Sequence, residues 1–334
     1  MRLVFVSLVL ASALTPIPAQ QVEAGPANEK ARRAYQEALQ YLREGKKLAA
    51  LDGFKRADRL AGGQCLACEK KMITYGCESG DWKAAELGAQ EIVAAATLEA
   101  DIAVAHYQFG YVLLVEGTER HKDEFFSRAH DELSRALAAR ADFPEALFLD
   151  GRVLANLRQD EEAKARFAEY AKMKPGDGPE QRRALRYVDR PELARARMAP
   201  PFAISTAGGQ RISMDDLQGK VVLIDFWATW CGPCRQALPH IREVARKFQG
   251  QPLVILSVSL DSDERTWKEF VAKNQMTWPQ CRDGGFGGSL AKLFGVNAIP
   301  HTFTIDADGV LQDEHVGDAA FEGKLKKLLA RARQ

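Results

Sequence analysis

Two cysteines separated by a glycine and a proline are the residues best suited to chemistry, in the tetrapeptide Cys231-Gly232-Pro233-Cys234. Two thiols at this spacing can close a disulfide when the backbone between them turns tightly, which Gly-Pro allows. Residues 221–230, just before them, are apolar and rich in β-branched side chains, which predicts a buried strand. Since no second Cys-x-x-Cys follows downstream, as in a zinc ribbon, the spacing favours thiol–disulfide chemistry.

A helix is predicted directly after Cys234, because apolar residues recur there at helical spacing. Cys231 then lies at the helix N-terminus, where the helix dipole and free N–H groups favour a thiolate. The more accessible thiol with the lower pKa attacks first, so we expect Cys231 to be the nucleophile and Cys234 to resolve the mixed disulfide. A disulfide with a purely structural role is the alternative.

Asp225 lies six residues before Cys231 in an otherwise apolar strand. A carboxylate is costly to bury without a partner, and burial raises its pKa. Asp225 is therefore a candidate proton acceptor for Cys234 while the mixed disulfide is resolved. The alternative is that a lysine pairs with Asp225 in the core.

Residues 220–330 resemble a thioredoxin-like domain of the extracytoplasmic TlpA/ResA type. The motifs that carry the resemblance are Asp225-Phe226-Trp227-Ala228, Trp230-Cys231-Gly232-Pro233-Cys234, Pro239, Gly295-Val296, Ile299-Pro300 and the strand 301–306. The resemblance supports the role of Asp225. The predicted element order, β-β-β-α-β-α-α-β-β-α, fits an α/β fold with a mixed central sheet covered by helices.

In that family the proline corresponding to Pro300 is cis and faces the dithiol. The resemblance therefore implies that the backbone of Ile299 is presented to an extended substrate. Trp230, Gly232, Pro233 and His301 would contribute to the same substrate-facing surface. An ordinary turn proline is the alternative for Pro300.

His301 departs from the family pattern, in which threonine is more usual at this position. It could be protonated and stabilise the Cys231 thiolate, or it could be a strand-end residue that points away. Copper(I) binding by Cys231, Cys234 and His301 is a further alternative, since soft thiolates suit that metal.

A small–x3–large–x2–small pattern recurs in the N-terminal half, beginning at Ala50, Ala85, Ala129 and Ala163. A separation near 34 residues is the tetratricopeptide period, and the longer middle interval implies about ten inserted residues around 118–126. This region resembles tetratricopeptide repeats, which stack helix hairpins around a concave groove. A generic helical bundle is the alternative.

The predicted domains are a signal peptide at residues 1–19, tetratricopeptide-like helical repeats at 27–178, a capping helix and linker at 179–199, and the thioredoxin-like domain at 200–334. The signal peptide rests on a positive start and the apolar stretch 3–14. An uncleaved N-terminal anchor is the alternative. Export would place the dithiol where protein disulfides persist.

Four further cysteines stand outside the tetrapeptide. Cys65 and Cys68 can form a local disulfide at a helix start, and the alternatives are small buried residues, a second redox centre or a metal site. Glu69 rather than histidine follows Cys68, which excludes c-type haem attachment. Cys77 is out of phase with Cys68 on one helix, and Cys281 is expected to be a buried thiol.

The predicted function is reduction of disulfides in extracytoplasmic proteins, because Gly-Pro within the dithiol resembles the reducing members of the superfamily. Electrons would come from a transmembrane thiol-relay protein, and the repeat groove would bind a client or partner protein. The net charge of +1 and the lack of a basic cluster argue against nucleic acid, and no pattern predicts a cofactor or resident metal.

A binding scaffold with a residual redox domain is an alternative, although it would not need an intact dithiol together with Asp225 and Pro300. A thiol peroxidase is disfavoured. Its Pro-x3-Thr-x2-Cys pattern is absent before Cys231, and Cys234 follows closely.

Overall fold

A computed structural model describes residues 25–176, 178–317 and 321–332. Its internal contacts divide the chain into two compact units, one ending at Arg195 and the other beginning at Ala196. The expected signal peptide lies outside the described residues. Of the helices that are described, none is both long and apolar enough to cross a membrane.

The N-terminal unit is helical, and its helices pack in consecutive pairs: α1 with α2, α3 with α4, α5 with α6 and α7 with α8. Their bounds are α1 Glu29–Arg43, α2 Lys47–Leu60, α3 Leu66–Ser79, α4 Trp82–Ala95, α5 Glu99–Arg120, α6 Asp123–Ala139, α7 Pro144–Asn156, α8 Asp160–Met173 and α9 Pro179–Asp189. This arrangement is consistent with helical repeats.

Small residues let the paired helices approach closely. The alanines that begin the four pattern instances all lie in the second helix of a pair and are completely buried. At Gly151 in α7, an added Cβ would lie 2.8 Å from the ring of Phe167 in α8. The pattern therefore marks the contact surface within each pair.

The ten additional residues of the middle interval do not form a loop at 118–126. Instead α5 and α6 are longer, with 22 and 17 residues against 14 in each of α3 and α4. Extending two paired helices keeps every added backbone group hydrogen-bonded, which a long loop would not. The segment 179–199 holds α9 and a 3-10 turn at Pro191–Arg195.

The C-terminal unit confirms the predicted α/β fold with a mixed central sheet. Its elements are β1 Ala203–Ser205, β2 Arg211–Ser213, β3 Val221–Trp227, α10 Gly232–Lys247, β4 Leu253–Ser259, α11 Glu264–Lys273, β5 Gln280–Arg282, α12 Ser289–Leu293, β6 His301–Ile305, β7 Leu311–Val316 and α13 Glu322–Arg331. The sheet order is β5-β4-β3-β6-β7, and β1 and β2 form a separate hairpin.

The central strand β3 runs parallel to β4 and antiparallel to β6, and all of its residues are buried. This position explains its continuous apolar sequence. Strand β5 was absent from the predicted order, because its three residues are too few to show a periodicity.

Candidate active site

The N-terminus of α10 carries a disulfide between Cys231 and Cys234, whose Cα atoms are 5.3 Å apart. Cys231 is the N-cap residue, and its Sγ accepts a hydrogen bond from the backbone N–H of Cys234 at 3.1 Å. Gly232 and Pro233 form the first turn, where proline lacks an N–H that would have no helical partner. Both sulfurs therefore lie at the positive end of the helix dipole.

The loop between β3 and α10 is fixed by the buried carboxylate of Asp261. The backbone N–H and the hydroxyl of Thr229 donate hydrogen bonds to it at 3.0 and 2.6 Å. Ser259, at the end of β4, donates a third from its Oγ at 2.6 Å. Asp261 thereby joins the residues just before Cys231 to the edge of the sheet.

Replacing Asp261 by alanine should lower the free energy of unfolding by about 1–3 kcal/mol, because it leaves the Thr229 donors without their acceptor. Disulfide exchange at Cys231 should also slow, since the loop before it loses its anchor. Urea unfolding and stopped-flow exchange measure the two effects. Ser262→Ala, at an exposed neighbouring position, is the control. Equal behaviour of the two variants would show that Asp261 does not anchor the loop.

The segment before β6 approaches the disulfide from another part of the chain. The Ile299–Pro300 peptide bond is cis, and the Ile299 carbonyl oxygen lies 3.9 Å from Cys231 Sγ. Pro300 is buried and Ile299 is half-buried. Trp230, beside Cys231, is 60% exposed. A backbone carbonyl thus lies near the Cys231 sulfur, and the residue before Cys231 exposes its indole.

His301 is buried, with its ring stacked on Phe303 at 4.5 Å and its Nε2 3.3 Å from Glu314 Oε1. Burial lowers the pKa of His301, and the nearby Glu314 carboxylate opposes this only in part. The geometry favours a neutral packing residue over a cation that stabilises the Cys231 thiolate.

Asp225 is buried in β3, and Ser257 stands directly opposite it in β4. The Ser257 hydroxyl donates a hydrogen bond to Asp225 Oδ2 at 3.2 Å and accepts one from Trp278 Nε1 at 2.8 Å. Burial raises the pKa of Asp225 to about 7, and the hydrogen bond from Ser257 offsets only a smaller part of this rise. No lysine contributes to this shift, so the carboxyl group can exchange a proton near neutral pH.

Sequence reasoning missed Ser257, Trp278 and Asp261. Ser257 carried a signal, because it is a polar residue within an otherwise apolar strand, like Asp225 in the neighbouring strand. Trp278 and Asp261 carried none, since loop positions have no periodicity that reveals their contacts.

The remaining cysteines fall into two groups. Cys65 and Cys68 are joined by a disulfide at the start of α3. Cys77 and Cys281 are buried free thiols, and burial raises the pKa of each to about 12. Such thiols are protonated at neutral pH and unreactive.

Comparisons with known proteins place the dithiol unit in a family. Residues 196–314 match the model of the AhpC/TSA family. The thiol-disulfide oxidoreductase ResA of Bacillus thuringiensis (strain Al Hakam) is 30% identical over 145 residues, which cover 42% of this chain and 83% of the relative. The thioredoxin-like protein YneN of Bacillus subtilis is 33% identical over 128 residues, or 37% of this chain and 73% of that protein.

A crystal structure described as a thiol:disulfide interchange protein DsbE from Chlorobium tepidum is 31% identical, with a TM-score of 0.37, and the match covers 42% of this chain and 97% of that one. The residues matched by the family model lie within the unit that holds Cys231 and Cys234. The chain therefore belongs to the thioredoxin-like thiol–disulfide oxidoreductases of the ResA type and is an enzyme of that class.

Proposed function

We propose that this oxidoreductase reduces disulfides in extracytoplasmic proteins, with Cys231 and Cys234 as its redox-active pair. The observation that carries the proposal is the Cys231–Cys234 disulfide at the N-terminus of α10, beside the Ile299 carbonyl. A dithiol here would have the Cys231 sulfur at the positive end of the helix dipole, next in sequence to the exposed Trp230.

The reaction begins from the reduced pair. The Cys231 thiolate, stabilised by the Cys234 N–H and the helix N-terminus, attacks one sulfur of the substrate disulfide. A mixed disulfide forms, and the other substrate sulfur leaves as a thiolate that takes a proton from solvent. The cysteine at the N-cap is suited to this step because its sulfur already accepts a backbone hydrogen bond.

Resolution requires Cys234 to lose its proton, and Asp225 is the proposed acceptor. The Cys234 thiolate attacks Cys231 Sγ, which closes the internal disulfide and releases the second substrate sulfur. The two electrons come from the dithiol, which is left oxidised. A transmembrane thiol-relay protein is the proposed donor that reduces it again.

Substrate would bind along the surface formed by Trp230, Gly232, Pro233 and Ile299. The Ile299 carbonyl can accept an N–H from an extended peptide, as an added strand does. Trp230 offers apolar area that becomes buried on binding. His301 has no direct contact with substrate in this proposal, since its buried ring packs on Phe303 and lies beside Glu314 of β7.

The helical unit is proposed to bind the client or partner protein as a tetratricopeptide-like repeat array. Paired helices with small contact residues support this, because stacked pairs offer a broad surface rather than a small-molecule pocket. The proposed location is extracytoplasmic, through residues 1–19, with the protein either released by cleavage or anchored at its N-terminus.

The reduction potential of the Cys231/Cys234 pair tests the proposed direction. A Cys65→Ser/Cys68→Ser variant leaves this pair as the one observed disulfide, and equilibration in glutathione or dithiothreitol buffers gives its potential. A reductant should have a value near or below about −270 mV. A value near about −120 mV would instead make this protein a disulfide donor.

A further inference from the structure

The Cys65–Cys68 disulfide repeats the local geometry of the Cys231–Cys234 pair. Cys65 is the N-cap residue of α3, and its Sγ accepts a hydrogen bond from the Cys68 N–H at 3.2 Å, against 3.1 Å in α10. The Cα atoms are 5.1 Å apart, against 5.3 Å. Cys65 is 3% exposed, close to the 5% of Cys231. Both N-cap sulfurs therefore experience the same helix-terminal field.

Three carboxyl groups from three helices meet beside this disulfide. Asp58 of α2, Glu69 of α3 and Glu91 of α4 place one oxygen each within 4.8 Å of the others. The backbone N–H of Cys65 favours the ionised form of two of them, because it lowers the pKa of Asp58 and of Glu69 against the larger effect of burial. The carboxyl cluster, Asp58, Glu69 and Glu91, thus interacts electrostatically with the cysteine backbone.

The burial of the carboxyl cluster favours its protonated form. Asp58 and Glu69 are 1% and 2% exposed, and the Oδ1 atom of Asp58 and the Oε2 atom of Glu91 are buried without a hydrogen-bond donor. Burial, followed by repulsion from the neighbouring carboxylates, raises the pKa of Glu69 and of Glu91 to about 7. A proton taken up here removes a like charge and supplies the missing donor.

An exposed apolar side chain adjoins the disulfide in sequence. Leu66, between the two cysteines, is 53% exposed. A single exposed leucine needs no explanation by itself, but this one is next to a disulfide, as Trp230 is in the other unit. It offers apolar area that a bound polypeptide would cover.

We propose that Cys65 and Cys68 form a second redox-active pair, which exchanges with protein disulfides. The proton acceptor of this pair is the carboxyl cluster, through its member Glu69. The pair is a separate centre in the helical unit, so the inference does not depend on the direction proposed for Cys231 and Cys234. Neither a purely structural disulfide nor a pair of packed thiols requires buried carboxyl groups at this position.

The reaction is an exchange that balances two electrons and two protons. The Cys65 thiol first releases its proton to solvent, and the thiolate attacks a substrate disulfide, so that one S–S bond forms as another breaks and the leaving sulfur takes a proton from solvent. The carboxyl cluster takes the proton of Cys68, whose thiolate then attacks Cys65 Sγ. The internal disulfide closes, and the second substrate sulfur takes that proton from the cluster and leaves as a thiol. The reverse reaction, with a protein dithiol, restores Cys65 and Cys68.

The test uses the full chain with Cys231→Ser/Cys234→Ser, so that the first centre is silent. Incubation with dithiothreitol or with reduced thioredoxin as a probe dithiol, followed by alkylation and mass spectrometry, counts the free thiols at Cys65 and Cys68. The proposal predicts reversible, paired reduction and reoxidation while circular dichroism reports a folded chain. A pair that is reduced only in urea would be structural, which overturns the proposal.

Glu69→Gln tests the carboxyl cluster separately, with Glu78→Gln, an exposed glutamate on the same helix, as control. The charges acting on Glu69 are those of Asp58 and Glu91, both negative. Reoxidation of the Cys65/Cys68 dithiol by a disulfide substrate at pH 7 should slow about tenfold or more in Glu69→Gln. Its rate should also lose the pH dependence near 7, whereas Glu78→Gln should match the parent. Equal rates in both variants would exclude the acceptor role.

Discussion

In a chain that carries Cys65→Ser/Cys68→Ser, Cys234→Ser should accumulate a stable mixed disulfide between Cys231 and its substrate. In the same background Cys231→Ser should lose disulfide reduction by about 10³-fold or more. The reason is geometric. Cys231 is the N-cap residue whose sulfur accepts a backbone hydrogen bond, and Cys234 lies within the helix. A serine at 234 cannot break the mixed disulfide, because a hydroxyl is not ionised at neutral pH.

The measurement is non-reducing electrophoresis and mass spectrometry after mixing the reduced variants with a disulfide-containing protein. Cys281→Ala serves as the control, since that buried thiol has a pKa of about 12 and should take no part. A covalent complex that forms equally well with Cys231→Ser would assign the attacking sulfur to Cys234. That result would reverse the proposed roles.

Asp225→Asn should slow resolution of the mixed disulfide at pH 7 by about 100-fold, because asparagine cannot take the Cys234 proton. In the parent the rate should rise through pH 7 as the Asp225 carboxyl group, with a pKa of about 7, loses its proton. Stopped-flow single-turnover measurements between pH 5 and pH 9 reveal both effects. Asp313→Asn, in a surface ion pair with Lys324, is the matched control. A parent-like profile in Asp225→Asn would remove Asp225 from the mechanism.

The same substitution should stabilise the oxidised protein at neutral pH, by up to about 4 kcal/mol. The folded-state pKa of Asp225 is raised, so the folded chain keeps a proton that the unfolded chain releases above its ordinary carboxyl pKa. Stability of the parent therefore falls as pH rises from about 4 to about 7, and the variant lacks this loss. Urea unfolding across that range measures the difference, which should vanish at acidic pH. If the parent and the variant were equally stable at pH 8, ionisation of the buried Asp225 would not destabilise the parent, contrary to this prediction.

Features that depend on short sequence distances could be predicted well. The buried strand β3, the start of α10 and the Cys231–Cys234 pair all follow from apolar spacing and from two cysteines three positions apart. The paired helices of the N-terminal unit could be predicted equally well, because alanines that recur at a fixed interval indicate positions where helices contact one another. Strand β5 was not, because three residues carry too little pattern.

The surroundings of the functional groups could be predicted much less well. Sequence identified Asp225 as an unusual buried carboxyl group but did not identify its partner Ser257, 32 residues away. Sequence left open whether His301 stabilises the Cys231 thiolate or points away from it. The packing on Phe303 and the proximity of Glu314 favour a packed side chain. These contacts join different elements, and no local period encodes them.

The sequence by itself determined that this protein has a dithiol at a helix start and a helical N-terminal unit, since both follow from the spacing of residues that are close in sequence. Only the tertiary structure decided which groups surround each disulfide. Strand pairing places Ser257 against Asp225, and helix packing gathers Asp58, Glu69 and Glu91 beside Cys65. The physical reason is that a pKa depends on burial and on neighbouring charges, and both arise when distant segments pack together.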